Sequence, residues 1–278
     1  MKDDRASRTA QFVTLGRAMA NAGLSHISGF SDPTASVFLS EKGKKSVAKA
    51  ERAFQQGTRR MSVEMARVMA DTMALRTVAI DAAVREAIAH GATQLVIVGA
   101  GYDGRAWRMP ELGGVKVFEV DHPATQREKR ARVAQLPPAR VTFVSTKFEN
   151  ESLDTVLEKA GHDRTSPTCW IWEGVVMYLP REVMLATLAS IARRSAPGST
   201  LIVNYHTIHR QLLSRLMFWL IGEPQVSAWS PDEMAADLRS AGFIVREDSG
   251  MVDWNQRFAQ GQAKSERTYY MRIAVAGI

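Results

Sequence analysis

Gln94-Leu95-Val96-Ile97-Val98 runs without interruption into Gly99-Ala100-Gly101-Tyr102-Asp103-Gly104-Arg105. Five mostly apolar residues without helical spacing suit a strand buried on both faces, and the glycines let the backbone turn sharply and approach a ligand. Eighteen and twenty residues beyond Gly101, the run Val115-Lys116-Val117-Phe118-Glu119-Val120-Asp121 reads as a second strand with two carboxylates at its end. Carboxylates at that point hold a ribose in nucleotide-binding sheets. Glu119 and Asp121 share a face of an ideal strand, so spacing does not choose between them.

Gly99, Gly101 and Gly104 satisfy G-x-G-x-x-G, the dinucleotide spacing. In dinucleotide folds the loop opens a full helix whose N-terminus faces the pyrophosphate, whereas Pro110 stops any helix here within about six residues. Asp103, inside the loop, would repel a diphosphate and suits a cationic ligand such as the amine or sulfonium of S-adenosylmethionine, with Arg105 offsetting part of its field. The charge pattern favours a phosphate-free nucleoside cofactor. An NAD(P)-dependent oxidoreductase using the same loop is the alternative.

Outward from the loop, strand and helix signals alternate. Ser62 to His90 carries helical spacing that Gly91 ends, and Pro123 to Val133, Ser152 to Ala160 and Arg181 to Arg194 read as further helices. Strands are expected at Arg140 to Val144, Thr168 to Trp172, Thr200 to Tyr205 and Phe243 to Glu247, with Arg267 to Ala276 closing the sheet. Ser230-Pro231-Asp232-Glu233 resembles a capped helix start. The expected class is therefore α/β, a doubly wound, mostly parallel, seven-stranded sheet over residues 61–278. Residues 1–60, with a Ser31-Asp32-Pro33 turn and no strand succession, are expected to form an N-terminal helical cap. The apolar stretch Leu212 to Ile221 contains Arg215 and is far shorter than the roughly 20 residues of a membrane span. Residues 210–229 read as a substrate lid or as an ordinary buried helix.

Composition narrows the function classes. The net charge is +7, but basic residues alternate with acids, and the densest groups, Lys42 to Arg52 and Arg127 to Arg132, lack interleaved stacking aromatics, which argues against nucleic acid. No long apolar stretch follows Met1, so neither a signal peptide nor a membrane anchor is expected and the location expected is cytoplasmic. Cys169 is the single cysteine and has no partner for a disulfide or a cysteine zinc site; packing is its expected role, and no metal is expected.

Five blocks in order carry a more specific signal: Arg76-Thr77, Gly99 to Asp103, Arg105-Ala106-Trp107-Arg108, Phe118 to Pro123 and Trp172 to Leu179. Together they resemble the leucine carboxyl methyltransferase family, over roughly Ala74 to Val203. The resemblance implies a class I fold that binds S-adenosylmethionine at the ends of its central strands. It also implies roles: Arg76 for the methionine carboxylate, Gly99, Ala100 and Gly101 for the loop's approach to the cofactor, Asp121 for the ribose and Glu173 for the methionine end. Lys147 and Phe148 fall in the segment that would meet adenine, but Lys147 stands where the family usually carries an aspartate, so Glu149 or a backbone carbonyl is the substitute contact.

Methyl transfer from a sulfonium is an in-line displacement that asks mainly for alignment and exclusion of water. A carboxylate acceptor is already ionised near neutral pH, whereas an alcohol or phenol gains from a base. Tyr205 and His206, after the fifth strand, are the candidates. The expected activity is O-methylation of a small molecule, with a carboxylate the leading acceptor by resemblance. A catalytically silent adenosyl-binding protein is a further alternative.

Overall fold

The computed structural model describes residues 8–25, 27–58, 60–146, 151–207, 225–261 and 270–278. Seven strands form one sheet: β1 (Gln94–Val98), β2 (Lys116–Asp121), β3 (Val141–Ser145), β4 (Thr168–Trp172), β5 (Thr200–His206), β6 (Ile244–Gly250) and β7 (Met271–Gly277). Their order is β3-β2-β1-β4-β5-β7-β6, with β7 antiparallel to both neighbours and the other pairings parallel. All residues of β1 and β4 are buried, which is why both read as continuous apolar runs without alternation. The expected α/β class and the mostly parallel sheet are observed.

The helices are α1 (Arg8–Met19), α2 (Glu41–Gln55), α3 (Met61–Ala89), α4 (Arg105–Arg108), α5 (Pro123–Val133), α6 (Leu153–Lys159), α7 (Arg181–Arg193), α8 (Pro231–Ser240) and α9 (Met251–Ala259). One sheet face packs Leu95, Ile97, Cys169, Ile171 and Ile202 against α3, α9 and the end of α1. The other packs Val96, Val98, Trp170, Trp172 and Val203 against α6, α7 and α8. Residues 70–78 of α3 are buried all round, because α1 covers the side that the sheet does not. Met19, Ala20 and Leu24 thus share the core of the sheet, although they belong to the segment expected as a cap.

Two features depart from expectation. Sixth strand and helix run together, β6 passing directly into α9; Asp253 accepts the Gly250 N–H at 2.8 Å and starts that helix. The closing strand starts at Met271, and residues 262–269 lie outside the described residues. Cys169 is buried in the core, and burial pushes its thiol up to about 12. Among the described residues no helix is long and apolar enough to cross a membrane. Most of the 210–229 segment also lies outside them.

Candidate functional site

The site lies where β1, β2, β4 and β5 end. Gly99 and Ala100 donate their N–H groups to Val120 O at 2.8 and 3.1 Å, so the loop folds back on the end of β2. Gly99 and Gly101 have φ of 71° and 49°, the left-handed region that favours glycine. A Cβ at Gly99 would also overlap Val175 after β4, and one at Gly101 would lie 3.2 Å from Ala10 of α1. The glycines therefore admit close neighbours from α1 and from the segment after β4. The helix behind the loop, α4, has four residues, as Pro110 dictates.

Asp121 ends β2 and accepts N–H groups from Gly101 and His122, each at 2.5 Å. Burial raises its pKa against the pull of those two donors. Glu119, two residues earlier, is fully buried and bonded to Lys129 of α5 at 2.5 Å. Lys129 Nζ also lies 5.7 and 5.5 Å from the ring centres of Phe38 and Trp107. The choice left open by strand periodicity is thereby made: Glu119 is a core charge, and Asp121 is the carboxylate beside the loop.

A chain of alternating charges fills the space behind the loop. Arg17 of α1 meets Asp32 at 3.0 Å and donates to the Tyr102 carbonyl at 2.6 Å. Arg108 approaches Asp32 at 3.9 Å and holds Asp81 through bonds of 2.6 and 2.9 Å. Arg105 Nε donates to Asp81 at 2.7 Å, and its Nη1 contacts Asp103 and, at 3.0 Å, Glu173. Glu173 meets Arg76 of α3 at 2.8 Å, as an ion pair in which Arg76 Nε is not aligned for a hydrogen bond. Four arginines thus face four carboxylates.

For Asp81, Asp103 and Glu173, burial pushes the pKa up and the arginines prevail over it. Asp103 is held at about 2, chiefly by Arg105, and Asp81 and Glu173 are also lowered, Glu173 by Arg76 and then Arg105. The expectation that Asp103 presents its charge to a ligand is corrected: Arg105 covers it, so the short α4 is the stronger argument against a dinucleotide.

The remaining candidates separate. His206 ends β5, with Nδ1 2.8 Å from Gln225 Nε2, and its ring packs edge-on against Tyr270 at 4.8 Å between centres. Burial raises the pKa of Tyr270, opposed by the charge of Arg76. Tyr205, one residue earlier, points to the opposite sheet face, where its hydroxyl donates to Asp248 at 2.6 Å and burial raises its pKa. The structure does not bring Tyr205 to the others, because alternation along β5 gives neighbours opposite faces. Lys147 and Phe148 lie outside the described residues. Arg17, Asp32, Asp81 and Arg108 were not singled out from sequence; their only signal was the Asp32-Pro33 turn and the Arg108 of one motif block.

The family model described as leucine carboxyl methyltransferase matches residues 10–192. A Mycolicibacterium gilvum protein named "Putative S-adenosyl-L-methionine-dependent methyltransferase" is 37% identical over 146 residues, 52% of this chain and 48% of that one. A Mycolicibacterium paratuberculosis protein of the same name is 34% identical over 209 residues, 71% of this chain and 66% of that one. The chain therefore spans about half the length of the first of these relatives. A DUF574 family protein from Streptomyces avermitilis superposes with a TM-score of 0.63 at 15% identity, covering 99% of this chain and 98% of that one. A "putative methyltransferase" from Thermobifida fusca gives 0.57 at 14% identity, covering 95% and 93%. The fold is that of class I S-adenosylmethionine-dependent methyltransferases. Within that class, the chain belongs to the leucine carboxyl methyltransferase family.

Proposed function

We propose that this chain is an S-adenosylmethionine-dependent O-methyltransferase whose acceptor is a small molecule carrying a carboxylate. The observation that carries the reading is the joint placement, at the ends of β1, β2 and β4, of a positive-φ glycine loop, Asp121, and the opposite charges of Arg76 and Glu173. That donor set fits the cofactor. Arg76 suits the methionine carboxylate, Glu173 the ammonium and Asp121 the ribose hydroxyls, and the loop backbone leaves no Cβ in the way. A zwitterion entering between Arg76 and Glu173 meets both signs at one place. When bound, the cofactor supplies an electrophilic methyl group on a sulfonium.

The chain's own task is alignment and exclusion of water, and α1, whose Ala10 lies over Gly101, is one wall of the enclosure. A carboxylate acceptor needs no base. The carboxyl assignment rests on the family. For a hydroxyl acceptor, His206 at the end of β5 is the candidate base, and its accepting Nδ1 must exchange the Gln225 amide, 2.8 Å away, for the acceptor's proton.

Calorimetric titration with S-adenosylmethionine, S-adenosylhomocysteine and NAD tests the reading; binding of NAD alone would overturn it. Arg76→Ala and Asp121→Ala should each weaken binding of the adenosyl ligands by roughly 1.5–3 kcal/mol, the range for hydrogen bonds to charged groups. Unchanged titrations in folded variants would remove both residues from the site. His206→Ala should leave methylation of carboxylate acceptors nearly intact and slow that of phenols by about 100-fold, the lower range for general-base catalysis. A large loss with a carboxylate acceptor would contradict its role.

A further inference from the structure

Arg105 opens α4, and its side chain is 2% exposed. Its guanidinium is shared among carboxylates from three places: Asp81 of α3, Asp103 of the loop and Glu173 after β4. Asp81 is also held twice by Arg108, so it has a second arginine as counter-charge. With Asp81 shared with Arg108, Asp103 alone would balance the charge of Arg105. The third contact is therefore not required for neutrality, and it falls on the most open of the three acids: the side chain of Glu173 is 14% exposed, against 4% and 6% for Asp81 and Asp103.

The two oxygens of Glu173 have separate partners. Oε2 is taken by Arg105 at 3.0 Å, and Oε1 faces Arg76 at 2.8 Å. We propose that Arg105 is a positioning residue for cofactor binding: by anchoring Oε2 it holds Glu173 in one orientation, with Oε1 presented beside Arg76 to an ammonium group. The proposal rests on the reading of Glu173 as the partner of the cofactor's amino-acid end. A planar fork anchored by Asp81 through Nε holds this direction in a way that a single ammonium does not.

The test compares two ligands on the purified chain by calorimetry, with thermal melts as the check on folding. S-Adenosylhomocysteine carries the amino-acid group; 5′-methylthioadenosine has the same nucleoside and thioether without it. Arg105→Lys should weaken S-adenosylhomocysteine about tenfold or more, a loss the size of a charge-assisted bond, and leave methylthioadenosine within about twofold. In a Glu173→Gln background the lysine substitution should add little further loss, because its target is gone. Equal weakening of both ligands would mean that Arg105 only supports the loop, and would overturn the proposal. If Arg105→Lys does not fold, Asp81→Asn keeps the arginine but weakens its Nε anchor and should show the same ligand selectivity at smaller amplitude; equal losses there also overturn it. Wild-type protein that binds methylthioadenosine but gains nothing from the amino-acid group would refute the reading of Glu173 itself, and the proposal with it.

Discussion

Asp32→Ala should lower stability by about 3–5 kcal/mol, the usual cost of leaving a buried charge without its partner. Asp32 is fully buried and is the carboxylate facing Arg17 at 3.0 Å. The same side chain accepts from Thr34 Oγ1 at 2.6 Å and the Ala35 N–H at 3.1 Å, which closes the turn that packs against Gly104. The substitution thus removes a counter-charge and a turn at once. Arg17 retains its bond to the Tyr102 carbonyl, so part of the strain passes into the glycine loop. By the size scaling of thermal unfolding, the fall in Tm is roughly 6–15 °C. Arg17→Met with Asp32→Leu, which exchanges the pair for apolar groups of similar bulk, should regain much of the loss. A double variant no more stable than Asp32→Ala would mean that the turn, and not the charge, carries the effect.

Lys129→Met should cost a comparable 3–5 kcal/mol, about the same as other broken buried pairs, with the cost growing as pH rises. Glu119 and Lys129 are both fully buried and bonded at 2.5 Å. Burial raises Glu119 to about 7 even though Lys129 pulls it down. An acid whose folded pKa lies above its unfolded value binds more protons when folded between the two, so its contribution to stability is present below the ordinary 4.5 and is lost as pH rises through about 7. Removing Lys129 takes away the group that opposes burial, which raises Glu119 further and extends the loss upward. Urea unfolding at pH 5, 6.5 and 8 should show the gap between wild type and Lys129→Met widening with pH. A gap independent of pH would show that Glu119 does not titrate in this range. Adding Glu119→Gln to the lysine variant should remove most of the pH dependence.

Much of the fold could be read along the chain because its signals are local. β1 and β4 occur at the residues expected, and β2, β3 and β5 within one residue, since apolar runs between glycine and proline breakers are strong marks of buried parallel strands. The missed helix α9 follows its strand with no breaker except Gly250, whose role emerges only when the Asp253 carboxylate turns back onto it. At the site, spacing pointed to the loop and the resemblance to Arg76, Asp121 and Glu173, but Arg105 was expected to offset only part of the Asp103 field and Tyr205 to accompany His206. Both errors concern which way a side chain turns: Arg105 folds back over Asp103 two residues before it, and Tyr205 faces Asp248 on the side of the sheet opposite His206.

The amino-acid sequence by itself determined the strand succession, the glycine loop, the short helix after it and the family, because each depends on neighbours within a few residues or on blocks in order. The tertiary structure decided which carboxylate stands at the loop and which is locked to Lys129. It decided that Arg105 covers Asp103 and reaches Glu173, and that Arg17 and Asp32 tie the N-terminal helix to the glycine loop. Those outcomes depend on how charges near and far along the chain, from Asp103 beside Arg105 to Glu173 sixty-eight residues beyond it, are brought together when the sheet and α3 pack, where burial makes each ion need a partner.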